Sequence, residues 1–442
     1  MRASLLAWLA ALALGLTSAQ SATSPELSFR SNSAPPRLSD REVVAPTPAR
    51  WTAPVGYSDE NRMVGVGGGV VVTLWQDTLI GRDFVTGRVL WKKYGYGEGF
   101  AVSDEYVAAL ARTGELLVAD VKTGRERWRR KAALSVSDLR WLGGLLTFWG
   151  VPFGGEQPRL IGLEGPTGRP RWLSAPGDRL VGREGDLLLT QRQTVSGTPP
   201  GFTAWDVASG QRRWRVDAVA YLGRSGNRLD FQRAPERVPL TGGVGTLNLL
   251  AVQARSGEEK PWTLRLNFPE VKTLQGASAS QVKLGAECAW VGVWANKWSD
   301  ALQLVGCQRR DGSGPGRQVG TRGMGGARWL GGPLGGRLWF TNGECCVWTG
   351  KAANVLTPTF TPHGPGERLS RFDLTGGRAV VASTDGQVLV YHPDRLQTPP
   401  YGTVPLVVSR HVTRSRAFGP SVIYQGHLLV QGEGEVQVFP TR

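Results

Sequence analysis

Reactive residues are scarce in this chain of 442 amino acids. It has four cysteines, four histidines and three methionines. The histidines, His363, His392, His411 and His427, are scattered and show no metal-ligand spacing. Acidic residues such as Asp300, Asp311 and Asp385 stand singly at turn positions, where capping is the expected role. No Gly-x-Ser-x-Gly elbow occurs, so a hydrolase nucleophile of that type is excluded. The glycine-rich stretch Gly65 to Val70 precedes a strand-like run instead of opening a helix, which argues against phosphate binding. Ser196 to Gly201 and Asp311 to Gly316 read as loops. Beyond residue 16 no apolar run is long enough to span a bilayer. Lysine is scarce too. Only nine of the 52 basic residues are Lys, and 36 acidic residues leave a net charge of +16. That excess can attract acidic polymers. Yet no basic block exceeds Arg127-Trp128-Arg129-Arg130-Lys131, so the charge reads mainly as scattered arginine.

What is present is a globular composition, 40% hydrophobic and 20% charged, behind an atypical N-terminus. Arg2, the apolar run Leu5 to Leu16 and the small residues Thr17-Ser18-Ala19 form a secretory signal pattern. Residues 1–19 are therefore expected to be removed, with the cut after Ala19. No cysteine lies near that cut, which argues against a bacterial lipid anchor. Residues 20–49 are rich in Ser, Pro and Ala and read as a flexible leader. Residues 50–442 remain as one exported domain, soluble in the periplasm or outside the cell.

That domain repeats itself. The runs TGRVLW, TGRERW, TGRPRW and SGQRRW place a Trp four residues after a Gly: Gly87 and Trp91, Gly124 and Trp128, Gly168 and Trp172, Gly210 and Trp214. A fifth copy, SGEEKPW, holds Gly257 and Trp262 with one inserted residue. The glycines are 37, 44, 42 and 47 residues apart. Each copy follows a short β-like run, and another β-like run precedes that, so each unit reads as four short strands. Chemistry explains the turn. Asp120 ends a strand, and its carboxylate can accept from the turn amides, with Thr123 adding a hydroxyl. Gly124 can take the positive φ of a hairpin that ends in a bulge. Trp128 then covers the seam to a neighbouring sheet, burying roughly 150–250 Å². A lone four-stranded sheet cannot bury both faces, so the units are expected to stack around an axis.

After residue 262 the motif fades, but strand pairs continue at 286–307, 335–350, 377–393 and 426–440. The raw count is nine units, and the last lacks an outer strand. Arg50-Trp51-Thr52-Ala53 could supply it and close the ring, removing the open edge. Trp290, Trp294 and Trp298 lie four apart in a β-like context, where core and seam packing is the default reading.

The run Ala204-Trp205-Asp206-Val207-Ala208-Ser209-Gly210 with Trp214 resembles the repeat of the pyrroloquinoline-quinone-like β-propellers, Ala-x-Asp-x-x-Thr-Gly-x-x-x-Trp. Copies at 81–91, 119–128, 162–172 and 251–262 match in part. Gly replaces Ala at 81 and 162, Glu replaces Asp at 164 and Gln replaces Asp at 253. The resemblance implies an all-β fold, a single propeller of four-stranded antiparallel blades. It implies eight blades, so that one unit between 219 and 330 is expected to be misread. It also implies that the ten Gly and Trp positions named above lock blade to blade.

The family contains quinoprotein alcohol dehydrogenases and non-catalytic scaffolds of outer-membrane protein assembly, and this chain resembles the scaffolds more. A dehydrogenase would need the quinone, calcium held by Glu, Asn and Asp, and an Asp base, and no calcium-loop pattern is found. Those dehydrogenases carry an adjacent-cysteine disulfide near the cofactor, and Cys345 and Cys346 are adjacent here. Neighbouring Cα atoms are ~3.8 Å apart, below the usual ~4.4–6.8 Å of a disulfide. A vicinal pair would force a strained turn where an extended strand is expected. For Cys288 and Cys307, a hairpin centred near 297 would set the two directly opposite, and a cross-strand disulfide is expected. The resulting expectation is a monomeric, exported, non-catalytic propeller, with no cofactor or metal, that binds protein or cell-envelope partners through its loops. The alternatives are a basic surface for acidic polysaccharide or nucleic acid, and a quinone-dependent dehydrogenase.

Overall fold

The structure is a computed structural model and describes residues 45–56, 63–192, 200–272, 276–284, 288–295, 302–309, 315–320, 328–334, 337–341, 347–350, 357–360, 368–397 and 404–441. The signal pattern and most of the leader fall outside these residues, as do Trp298, Cys345 and Cys346. Apart from one 3-10 turn at Pro269–Val271, every regular element described is a strand. No described helix is long and apolar enough to cross a membrane.

The strands form an all-β propeller of antiparallel sheets. Among the described residues there are nine sheets, of which eight have four strands and one has five. In chain order they span residues 64–94, 96–130, 137–173, 178–217, 220–267, 278–320, 328–360, 369–412 and 422–440, and are numbered 1 to 9 here. The sheet count thus matches the raw repeat count and departs from the expected eight. The stretch suspected of holding a misread unit makes two sheets. Sheet 5 has long third and outer strands, Val244–Gln253 and Glu259–Asn267. The loop before them sends Val238–Pro239 across to pair with the inner strand of sheet 6, the strand Ser278–Leu284. That crossing gives sheet 6 its fifth strand and blurs the period in the sequence.

Each sheet is a meander whose middle strands are almost wholly apolar, such as Val70–Trp75 and Leu116–Asp120, because both faces are covered by neighbours. The covering is sequential. Val72 and Trp91 of sheet 1 pack with Val107 and Leu117 of sheet 2. Val118 of sheet 2 meets Leu146 and Phe148 of sheet 3, and Leu160 of sheet 3 meets Leu188 of sheet 4. Leu189 and Trp214 of sheet 4 meet Phe231 and Leu250 of sheet 5, and Leu247 and Leu264 of sheet 5 meet Val291 and Leu304 of sheet 6. Trp339 of sheet 7 packs with Val381 and Tyr391 of sheet 8, and Val390 of sheet 8 with Leu428 and Phe439 of sheet 9. Each fully buried aliphatic side chain in these seams contributes about 1.5–3 kcal/mol.

Sheet 9 has only three strands from its own region. Trp51–Pro54 supplies the fourth by pairing with Glu435–Pro440, Trp51 opposite Val438. Ala53 and Val438 then pack with Val71 and Phe84 of sheet 1. The leader proves shorter than its composition suggests. Thr47 donates its amide to Arg410 O at 2.8 Å, its carbonyl lies 3.2 Å from His411 Nδ1, and Ala49 packs into the seam of sheets 8 and 9.

The cysteine register also needs correction. Cys288 lies opposite Arg309, and Trp290 lies opposite Cys307, so the two cysteines are offset by two positions. A bulge between Val293 and Trp294 moves the centre of the hairpin. Cys307 is buried and disulfide-bonded. The side chain of Cys288 lies outside the described residues. Trp290 and Trp294 are buried in the strand Cys288–Trp294.

Candidate docking surfaces

The propeller has two ends of different character. At one end lie the tight turns, joining the first strand to the second and the third to the outer one. In sheet 1 the two turns are tied by Phe84 N–H donating to Gly69 O at 2.9 Å. The same bond recurs from Val121 to Glu105, Gly165 to Gly144, Val207 to Asp186 and Ala254 to Asn227. At the other end lie the irregular connections, including residues 131–136, 151–158 and 233–243.

The repeated acid is consumed within its turn. Asp120 Oδ1 accepts from the amides of Lys122 and Thr123 and from the Thr123 hydroxyl, at 3.1, 2.9 and 2.9 Å. Burial works against its charge, but these donors and Arg127 outweigh it, and the carboxyl titrates below its usual range. Asp83 is held down in the same way by Thr86, and Glu164 by Thr167 and Arg171. Asp206 is lowered to about 2, first by Arg213 and then by Ser209. Each of these four acids is bonded within its own turn. Gln253, at the fifth position, makes the backbone bonds of the turn with Gly257 and Glu258, and its side-chain oxygen accepts from Asn227 at 3.4 Å instead of from the turn amides.

The residue after the acid works in both directions. Its N–H ties the two turns of its own sheet, and its C=O accepts an indole N–H from the preceding sheet. Trp91 Nε1 donates to Val121 O at 2.7 Å, Trp128 Nε1 to Gly165 O at 2.7 Å and Trp214 Nε1 to Ala254 O at 2.9 Å. Trp51, on the closing strand, donates to Phe84 O at 2.9 Å. Beneath each indole lies the turn glycine of the next sheet. A Cβ on Gly124 would stand 2.7 Å from Trp91 Cγ, and φ there is +67°. Gly87 lies under Trp51, Gly168 under Trp128, Gly210 under Trp172 and Gly257 under Trp214. Trp51 is the one member of this series that the repeat pattern did not reveal, because it lies some 390 residues from the strand it joins.

Two members depart from the pattern. Trp172 stacks on Trp205 at 6.1 Å, and its Nε1 has no acceptor. Trp262 lies opposite Leu249, four residues before Gln253, whereas Trp91, Trp128, Trp172 and Trp214 each lie two residues before the acid. The inserted residue removes the bulge that the other four outer strands contain. Trp262 is only half-buried against the seam, its Nε1 is unpartnered, and Arg228 lies over its ring at 5.8 Å. With Arg233, Asn248 and Pro261 it lines a shallow depression of ≈ 430 Å³. The Gly-for-Ala exchanges at 81 and 162 also gain a reason. A Cβ there would meet the opposing indoles of Trp91 and Trp172 at 2.1 and 2.3 Å.

Outside the ring, the tight turns and outer strands of sheets 1 to 4 form a basic wall. Sheet 1 contributes Arg88, Lys92 and Lys93, and sheet 2 contributes Lys122, Arg125, Arg127, Arg129 and Arg130. Sheet 3 adds Arg169 and Arg171, and sheet 4 adds Arg212, Arg213 and Arg215. Within residues 84–94, 121–130, 165–173 and 207–217, which hold these basic residues, the acids are Glu126 and Asp217, while Asp83, Asp120, Glu164 and Asp206 immediately precede the turns and Asp104, Glu105 and Asp186 lie on the adjacent first-to-second turns. Arg127, Arg129, Arg171, Arg213 and Arg215 are paired with acids. Arg88, Lys92, Lys122, Arg125, Arg169 and Arg212 are exposed, and none has an ion pair among the described residues. The equivalent segment of sheet 5 is nearly balanced, with Arg255, Lys260 and Arg265 against Glu258 and Glu259.

The irregular end of sheets 1 to 3 instead exposes apolar side chains. Tyr94 is 75% exposed, Leu134 64% and Phe153 57%. Leu134 N–H donates to Val151 O at 2.8 Å, which brings the loops of Leu134 and Phe153 together. An ion pair between Arg112 and Asp77, at 2.6 Å, braces the neighbouring connections of sheets 1 and 2.

Sheets docked in series, each indole seated over the next turn's glycine, define a PQQ-like β-propeller. The chain belongs to the family described as outer membrane protein assembly factor BamB, whose profile matches residues 49–272. No curated protein sequence matches it. Among solved structures, BamB from Moraxella catarrhalis is 13% identical, covering 88% of this chain and 98% of its own, with a TM-score of 0.43. A computationally designed protein, Ika8, is 12% identical over 88% and 98%, with a TM-score of 0.43. Quinohemoprotein alcohol dehydrogenase from Comamonas testosteroni is 13% identical over 89% and 76%, with a TM-score of 0.40.

Proposed function

We propose that this chain is an exported, non-catalytic propeller scaffold, cleaved near Ala19, that docks a protein partner of the cell envelope at its irregular end. The observation that carries this reading is the set of exposed apolar side chains at that end, Tyr94, Leu134 and Phe153, on a propeller whose four repeated acids are bonded within their own turns. Exposed large apolar residues grouped on one face are typical of a partner surface. Membership of an outer-membrane assembly family supports an envelope partner. The test is site-specific photo-crosslinking in cells, with the probe at Leu134, at Phe153 and, as control, at Val89 on the outer wall. The expected result is a discrete adduct from Leu134 and Phe153 and none from Val89. Equal labelling from all three would remove the irregular end as the site. The dehydrogenase alternative rests on the family resemblance and on the adjacent Cys345 and Cys346. On the scaffold reading, the mature protein mixed with the quinone and calcium acquires no bound chromophore. The cross-strand pairing of Cys288 with Cys307 is proposed on the same footing, and non-reducing peptide mapping tests it.

A further inference from the structure

We propose that the basic wall of sheets 1 to 4 binds a linear acidic polysaccharide, carboxylated or sulfated, along the outer curve of the propeller. This goes beyond the scaffold reading and uses a different surface. The charge is concentrated along the outer strands: residues 84–94, 121–130, 165–173 and 207–217 together hold thirteen basic residues and two acids, while residues 254–267 of sheet 5 hold three against two. The arrangement leaves the positive charge available. The acids of the repeat lie inside the turns, and six exposed basic residues distributed over all four sheets have no ion pair among the described residues. The wall is convex, because consecutive outer strands follow the rim of a ring. A flexible polyanion can follow such a curve, releasing counterions at each basic site. A stiff duplex, with a persistence length of about 50 nm, cannot follow it without large bending cost. Single-stranded nucleic acid is bound through bases stacked on exposed aromatic rings. Here the outer-strand rings of Trp91, Trp172 and Trp214 are buried in the seams, and Trp128 is half-buried with its N–H bonded to Gly165. Tyr94, which ends the first outer strand at the irregular end, is the one large ring well exposed on these four strands, so the surface offers charge without a row of stacking platforms, which suits a saccharide polymer.

The measurement is fluorescence anisotropy of a labelled heparin oligosaccharide titrated with the mature protein at two salt concentrations, with labelled oligothymidylate as the competing polymer. One variant carries Lys92→Gln, Arg125→Gln, Arg169→Gln and Arg212→Gln. A control variant carries Arg255→Gln, Arg265→Gln, Arg414→Gln and Arg416→Gln, which removes the same charge elsewhere. The wall variant is expected to lose about tenfold or more in heparin affinity at low salt, with a shallower salt dependence, while the control stays within about twofold. Acetylation of Lys92 and Lys122 in the wild-type protein is expected to slow when heparin is present, a readout that needs no variant to fold. Equal losses in both variants, or unprotected lysines, would show that the outer arginines and lysines only guard strand edges, and would overturn the proposal. Oligothymidylate binding as tight as heparin, with the same dependence on the wall, would overturn the choice of polymer.

Discussion

At the seam of sheets 1 and 2, Trp91 lies over a glycine and donates to a backbone carbonyl. At the seam of sheets 7 and 8, Trp339 is fully buried among Val381, Leu389 and Tyr391, and its Nε1 has no acceptor. Both indoles fill space, but only the first also fixes the position of the next sheet along its own length. The seams of sheets 1 and 2, 2 and 3, and 4 and 5 thus carry a directional indole bond repeated by sequence, which the seam of sheets 3 and 4 lacks. Sheets 8 and 9 are joined without an indole bond, by apolar packing, the N-terminal segment, one buried imidazole and two side chains of sheet 8, Asp373 and Thr375, that accept from the amides of Ser421 and Ile423 at 2.9 and 3.3 Å. His411 is completely buried, bonded to Ser409 and the Thr47 carbonyl and stacked on Phe439 at 4.2 Å.

The contrast can be broken first at Trp91. Trp91→Ala is expected to cost about 3–5 kcal/mol in guanidinium unfolding, because it empties a site between Gly81 and Gly124 and strands the Val121 carbonyl. Trp91→Phe should cost more than Trp339→Phe, since only the former loses a hydrogen bond. A second test uses acid. Burial lowers His411 to about 4 from 6.5. The unfolded chain therefore binds a proton that the folded chain refuses, and stability falls as pH drops from about 6.5 to 4, by about 3 kcal/mol in all. Asp206 acts over a lower window, its contribution fading from about pH 4 toward 2. Hydrogen exchange followed by mass spectrometry should show the strand Val404–Val412 opening at a pH where sheet 4 stays protected, and His411→Phe should flatten that step.

Smaller effects refine the picture within sheets 1 to 5. Gly124→Ala combines a positive φ with a contact of 2.7 Å and should cost about 1–3 kcal/mol, read as a lower melting temperature. Gln253→Asp has the opposite sign. It supplies the turn acceptor that the fifth copy lacks, with Ser256 three residues on, and should gain about 0.5–1 kcal/mol in the same melt.

The legible part of the fold is the part held by local chemistry. Asp120, Thr123 and Gly124 act within five residues, so their pattern reports the turn directly. The closing strand at Trp51 was readable because the last unit lacked a partner. Three features were not. The Val238–Pro239 crossing is two residues long and follows no period. The Cys307 register was shifted by a bulge that no residue type announces. The displacement of Trp262 came from one extra residue, visible in sequence but silent about register. The outer wall was hidden for a different reason. Its basic residues are dispersed along the chain, and only the outer-strand position in each sheet gathers them on one surface.

The pairing of Trp51–Pro54 with Glu435–Pro440 gives the chain an order of events. Phe84 and Gly87 of sheet 1 emerge early, yet the indole that covers them is anchored to the strand Glu435–Pro440, which is made much later. Until residue 440 arrives, the first seam stands open at one side and the growing stack has a bare end. Closure of the propeller therefore waits on residues 435–440, and a chain lacking that strand would keep every motif of sheets 1 to 5 and still leave Trp51 without a berth.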